Sequence, residues 1–313
     1  MPYRLFTMGL ATTKSAILVT LMVWASSSVA QTAFTNVGSI ANTRHNLSQS
    51  TLSASIRNTM DLARNDYGEV CVYCHTPHAA NTTIAAPLWN RTIKTTTYST
   101  YNSSTLTQPV SQPGPNSLSC LSCHDGTVAI DSIINMPGSN KYNAAQQTSQ
   151  NTTFLNTWNN PAGRVDTVSH MGLNSKNGTV GNGVGSIGCL VCHSSDPSAA
   201  IGGATDFVVA NLGTDLTNDH PVGIRYPAMG PGVDFKPTTG VKSNIAFFDT
   251  NTNGRLDKSD IRLYDTGGGF AVECASCHDP HGVPSAGPGS IFNKTFMRVS
   301  NDGSALCLTC HVK

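Results

Sequence analysis

The sequence predicts a mostly irregular, loop-rich fold with short α-helices and little β structure. Three observations predict it. The pattern Cys-x-x-Cys-His occurs five times. The stretches between the motifs, such as 91–119, 138–160 and 174–188, are rich in Thr, Ser, Asn, Gln, Gly and Pro. They lack a sustained 3.6-residue apolar period and read as loops. Charged residues make up only 12% of the chain, half of what a globular protein usually carries. The formal net charge of +1 leaves no cationic footprint, which excludes a nucleic-acid partner.

Residues 1–30 read as an export signal. Arg4 and Lys14 precede an apolar run from Ala16 to Ala25, and Ser28-Val29-Ala30 supplies the small residues of a cleavage site. The run is shorter than the roughly 20 residues that span a bilayer. The mature chain would be 31–313, a single domain with no membrane span of its own. Around 52–66, Leu52, Ile56, Met60 and Leu62 or Ala63 mark a partial helical face.

The ten cysteines form five pairs, Cys71/Cys74, Cys120/Cys123, Cys189/Cys192, Cys274/Cys277 and Cys307/Cys310. Each pair is followed directly by a histidine: His75, His124, His193, His278 and His311. Structural zinc uses such pairs two at a time and gives no reason for a His after every one. This is the attachment motif of c-type haem. Two thiols at this spacing reach two vinyl groups on one porphyrin edge, and the next residue offers its imidazole to the iron as the proximal ligand. Five covalent haem c groups would share a chain with roughly 60 residues for each, too few to build a separate protein core around every one. The haems are therefore expected to stack in a chain and form the core, with short helices at the motifs. Phe207–Leu212 reads as a short strand.

Five histidines remain for five distal positions: His45, His78, His170, His220 and His281. The match suggests bis-His ligation throughout. Met60, Met136, Met171, Met229 and Met297 are the rival distal ligands, and would raise the potential. His78 and His281 share one context, Cys-His-x-Pro-His. Neither can curl around the porphyrin that its neighbour already holds, so each should ligate a different haem. His45 lies near the start of the mature chain, the part least committed to a domain's own core. It is expected to ligate a haem in trans, in a head-to-tail homopolymer.

The segment 249–260 fits a twelve-residue calcium loop. Asp249, Asn251, Asn253, Asp257 and Asp260 supply side-chain oxygens, Arg255 a backbone carbonyl, and Gly254 the sharp turn. Asp260 stands where Glu is commonest.

The flanking residues resemble those of a known family. They are Ile40-Ala-Asn-Thr-Arg-His45-Asn-Leu-Ser, Cys71-Val-Tyr-Cys-His-Thr-Pro-His78, Cys120-Leu-Ser-Cys-His-Asp-Gly, Asp219-His-Pro-Val-Gly223, and the 249–260 loop running into Arg262-Leu-Tyr-Asp-Thr-Gly267. The family is that of extracellular multihaem c-type cytochromes that polymerise into conductive filaments, the OmcE/OmcS type. The resemblance implies a secreted, cell-surface electron carrier that polymerises with itself and serves redox partner proteins or extracellular acceptors. With both axial positions filled no iron is open to substrate, so the expectation is an electron carrier and not an enzyme. Two alternatives stand beside it. One is a soluble periplasmic multihaem shuttle. The other is a multihaem nitrogen-oxide reductase, which needs one open iron with acid–base groups beside it.

Overall fold

The computed structural model describes residues 35–48, 67–84, 86–93, 96–135, 172–173, 189–191, 193, 208–227, 234–283 and 295–312. These all belong to one unit of the chain, 34–313. The expected helical face at 52–66, the expected export signal at 1–30, His170 and Cys192 lie outside the described residues.

The expectation of little β structure around a haem-filled core is overturned. Strands β1 (Ser99–Thr100) and β2 (Asp215–Leu216) form a short parallel pair. Strands β3 (Ile224–Arg225), β4 (Gly240–Lys242), β5 (Ile245–Phe248), β6 (Ile261–Asp265) and β7 (Phe270–Val272) form an antiparallel sheet in the order β3-β7-β6-β5-β4.

The physical reason lies in alternation and turn chemistry. Ala246 faces Leu263 and Phe248 faces Ile261 in the β5–β6 register. These four side chains are buried on one face and form an apolar cluster of their own. Tyr226, Phe270, Val272, Val299 and Leu306 pack against it. Alternate residues on two paired strands share a face, so the register brings these side chains together. Ser243 and Asn244 turn β4 into β5, with Ser243 at φ 54°. Gly267 and Gly269 carry the turn from β6 to β7, at φ 92° and 106°. That backbone is open to glycine and strained for most other residues. At Gly240 the Phe247 ring lies where a side chain would begin, 2.6 Å from an ideal Cβ.

The described helices are few. Helix α1 (Pro115–His124) starts with proline, whose missing N–H costs nothing in the first turn. The Glu273 carboxylate accepts from the Gly114 N–H and from the Ser117 hydroxyl, satisfying the helix start from another part of the chain. Glu273 also caps α2 (Cys274–Cys277), where its own N–H bonds the Ser276 hydroxyl at 2.9 Å. Ser117 in turn accepts from the Cys274 N–H at 2.8 Å. Helix α3 (Ala305–Cys310) is the last. The Phe207–Leu212 segment does not form a strand where it is described. Val208–Ala210 is a 3-10 turn, and the N–H groups of Leu212 and Gly213 cap the His124 carbonyl instead of pairing with a sheet.

Arg91 ties the second motif to the segment that follows it. It is fully buried, and donates to the carbonyls of Ile130, Ser122 and Ala129 at 2.8–2.9 Å and to the Ser122 hydroxyl at 3.2 Å. Those acceptors satisfy a guanidinium that would otherwise be costly to bury. Asn90, also fully buried, ties Val72 to Asn135.

Candidate functional site

Four of the five motifs close one helical turn in the same way. The N–H of the motif histidine bonds the carbonyl of the first cysteine: His75 to Cys71, His193 to Cys189, His278 to Cys274 and His311 to Cys307, at 2.8–3.1 Å. The remaining motif ends α1. A single turn puts both thiols and the imidazole on one side of the chain, which a thioether-bound haem requires.

The motifs also approach one another. Burial pushes the Cys74 thiol up to about 12, with Cys123 the next cause. The Cys120 thiol is raised by its hydrogen-bonding neighbour Cys274, then by burial. Burial pushes Cys277 up to about 11, and Cys274 and Cys307 add to it. Cys74 thus lies near Cys123, Cys120 beside Cys274, and Cys277 near Cys307. The contact between α1 and α2, tied by Glu273 and Ser117, joins the second to the fourth.

The histidine rings share a common geometry. Nδ1 of His75 lies 2.7 Å from the Pro87 carbonyl, that of His124 2.6 Å from Ala210, and that of His278 2.5 Å from Thr295. Nδ1 of His45 lies 3.2 Å from the Pro280 carbonyl, and that of His220 3.1 Å from Pro221. A carbonyl oxygen can only accept, so each Nδ1 carries the proton. The lone pair then sits on Nε2, the nitrogen on the far side of the ring. This is the arrangement that orients a metal-binding imidazole. His281 is held similarly, with Nδ1 3.1 Å from Asp279 Oδ1.

Burial favours the neutral form of four of these rings, those of His45, His75, His124 and His278. Burial pushes His45 down to about 4, and His124 lowers it further. Burial likewise lowers His75, His124 and His278. Asp279 sits low, at about 2. Burial opposes this, but the hydrogen bond from His281 and the Arg298 guanidinium outweigh it. Arg298 Nη1 reaches Asp279 Oδ2 at 3.2 Å, with both side chains nearly fully buried.

Two pairs of expected proximal and distal ligands face each other. His45 and His124 have ring centroids 5.9 Å apart and planes at 78°. His75 and His281 are 6.0 Å apart with planes at 14°. His45 also stacks on Phe296 at 4.5 Å and 17°. His75 meets the edge of Trp89. His45 thus stands beside a proximal histidine of its own chain. His311 packs against Phe235 at 4.7 Å. His78 is exposed, and it is its backbone carbonyl that accepts from Thr76 and Asn135. His220 is exposed.

The 249–260 loop is closed by its own hydrogen bonds. Asp249 accepts from the N–H groups of Asn253 and Gly254. Asp257 Oδ2 takes the Asn251 and Asn253 side-chain amides. Asp260 accepts from the N–H groups of Thr250 and Asp257. Arg255 uses its own N–H on Asn253 Oδ1. Among the described residues no group of three His, Cys, Asp or Glu side chains is placed to hold a metal ion. The calcium reading therefore gains no support from this geometry.

Sequence reasoning missed Asp279, Pro280, Phe296 and Arg298 as parts of the site. The Asp in Cys-His-Asp-Pro-His was the one signal available, since a carboxylate two residues before a histidine can bond both its N–H and its ring. A backbone carbonyl that takes an Nδ1 proton from afar has no sequence signature.

Residues 268–313 match the family described as Doubled CXXCH motif. The match covers the fourth and fifth motifs. No curated protein matches the chain. Among the described residues no helix is long and apolar enough to cross a membrane. The residues present fit the cofactor: thiol pairs on a helical turn, and the imidazoles of His45, His75, His124, His220, His278 and His281 with Nδ1 tied to a protein oxygen. Covalent haem c binding, and with it haem-based electron transfer, follows from the matched motifs.

Proposed function

We propose that the chain is a multihaem electron carrier with a haem c at each of its five motifs, each iron ligated by two histidines. The observation that carries this reading is the shared ring geometry. Protein oxygens take the Nδ1 proton at His45, His75, His124, His220, His278 and His281. A bound haem supplies a one-electron iron couple. The chain holds the rings in place, so that little need move when the charge on the site changes. Neighbouring motifs keep the sites close, which favours transfer from one to the next. The export signal and the resemblance of the flanking residues support a place outside the cytoplasm, as the repeating unit of a head-to-tail filament. The low net charge favours stacking of identical subunits, because their mutual repulsion is small.

The mass of the intact mature chain should exceed that of the polypeptide by five haems, and fewer would contradict the assignment of one to every motif. Carbon monoxide should leave the reduced spectrum unchanged. A shift at one haem would favour the nitrogen-oxide reductase. Material sheared from cells should sediment as filaments, and a monomeric species alone would favour the periplasmic shuttle.

A further inference from the structure

We propose that the structure assigns two specific axial pairs within one chain: His45 with His124 across the second haem, and His281 with His75 across the first. The pairing rests on the haem reading above. It gives His45 an intrachain role in place of the in-trans one.

The spacing carries the inference. A ring nitrogen sits about 2 Å from a first-row metal that it ligates. Its ring centre lies roughly 1 Å further out, so two imidazoles sharing one iron have centroids about 6 Å apart. The observed separations are 5.9 and 6.0 Å. Direct parallel contact looks different in the same molecule, since His45 and Phe296 stack at 4.5 Å. In all four rings Nδ1 is committed to a protein oxygen, on Pro280, Ala210, Pro87 and Asp279, so only Nε2 remains for the shared centre. One short segment couples the two pairs. Pro280 holds the ring of His45 while His281, the next residue, faces His75.

The two pairs differ in one property that a spectrum reads directly. The planes of His45 and His124 stand at 78°, and those of His75 and His281 at 14°. Phe296 sets the plane of His45, and Asp279 holds the ring of His281. Nearly perpendicular imidazole planes leave the two π-type iron d orbitals close in energy and give a highly anisotropic low-spin ferric signal. Nearly parallel planes separate those orbitals and give a rhombic one.

Electron paramagnetic resonance of the ferric protein tests this. Wild type should show both kinds of low-spin signal, and absence of either overturns the assignment. His45→Ala should remove one highly anisotropic signal per chain and add one high-spin signal, which added imidazole converts back to low spin. His281→Ala should remove one rhombic signal instead. Full haem content with every wild-type signal retained in both variants overturns the pairing, and so does the exchanged pattern of losses. Where an alanine variant loses haem, His45→Met and His281→Met keep a ligand in place. Each should lose the same signal as its alanine counterpart and gain a long-wavelength Met–iron band. Unchanged spectra in the Met variants overturn the pairing. Wild-type chains carrying no covalent haem would instead overturn the reading on which the pairing rests.

Discussion

Residues 71–78 and 274–281 have the same pattern, Cys-x-x-Cys-His-x-Pro-His, and end differently. Both place the proximal histidine alike, with Nδ1 on a carbonyl of a later loop, Pro87 in one and Thr295 in the other. The second histidine separates them. In 274–281 the intervening residue is Asp279, buried and paired with Arg298, and it takes both the N–H and the Nδ1 proton of His281. The His281 side chain is still 55% exposed, but its ring is fixed and faces His75. In 71–78 the same place holds Thr76, whose hydroxyl donates to the His78 carbonyl, and the His78 side chain is exposed. One residue type decides whether the second histidine of the motif is oriented by its own segment.

The supports differ as well. Residues 274–281 follow β7 and rest on β6 through the Tyr264 hydroxyl on the Ala275 carbonyl, and the Arg298 guanidinium outside the sheet ties Ala275 to Lys258. Residues 71–78 rest on a side chain that crosses between loops, Asn90 on the Val72 carbonyl, and the adjacent Arg91 ties Ser122 to Ala129 and Ile130. The first is a strand-built scaffold, and the second a polar staple.

Arg91→Met should therefore have the largest effect. It strips three buried carbonyls of their donor, a loss of about 4 kcal/mol in denaturant unfolding, with the first and second haem sites perturbed before the fourth. A loss under about 1 kcal/mol would refute the staple. Leu263→Ala opens a cavity in the sheet core, where Leu263 is 1% exposed, and should cost about 3 kcal/mol. Its damage should fall on the fourth and fifth sites, and equal damage at the first would remove the distinction between the two supports. Asp279→Asn leaves Arg298 buried without a charged partner and weakens the hold on His281. About 2 kcal/mol should be lost, together with broadening of the rhombic ferric signal. Thr76→Val at the equivalent position should change stability by less than about 0.5 kcal/mol and leave every ferric signal in place. Asp260→Ala tests the far end of the scaffold. Asp260 is fully buried and accepts two backbone N–H groups, so about 2 kcal/mol should be lost, with or without chelator. A loss seen only without chelator would instead indicate a bound calcium ion.

The two regions were unequally legible. The motifs, the proximal histidines and the spare histidines stand in the sequence as residue types at fixed spacing, which covalent chemistry demands. The sheet was harder to read because its strands are two to five residues long, and β5 reads Ile-Ala-Phe-Phe with little polar alternation. Its turns carry Ser243-Asn244 and Gly267–Gly269, while the segment between β5 and β6 reads as a metal-like loop. Phe296 adopts a left-handed backbone at φ 59°, which no local pattern announces, and so reaches His45. Arg91 resembles any surface arginine until the chain folds around it. The adjacency of the second and fourth motifs depends on contacts more than 150 residues apart in sequence, such as Gly114 with Glu273, and loop composition carries no record of those.

Near-infrared magnetic circular dichroism of the fully oxidised protein tests bis-histidine ligation, because its charge-transfer bands identify both axial ligands of each ferric haem. Bis-imidazole bands alone are expected, at an intensity matching five haems per chain. A methionine–imidazole band, or a high-spin band from an iron lacking its second histidine, would contradict it.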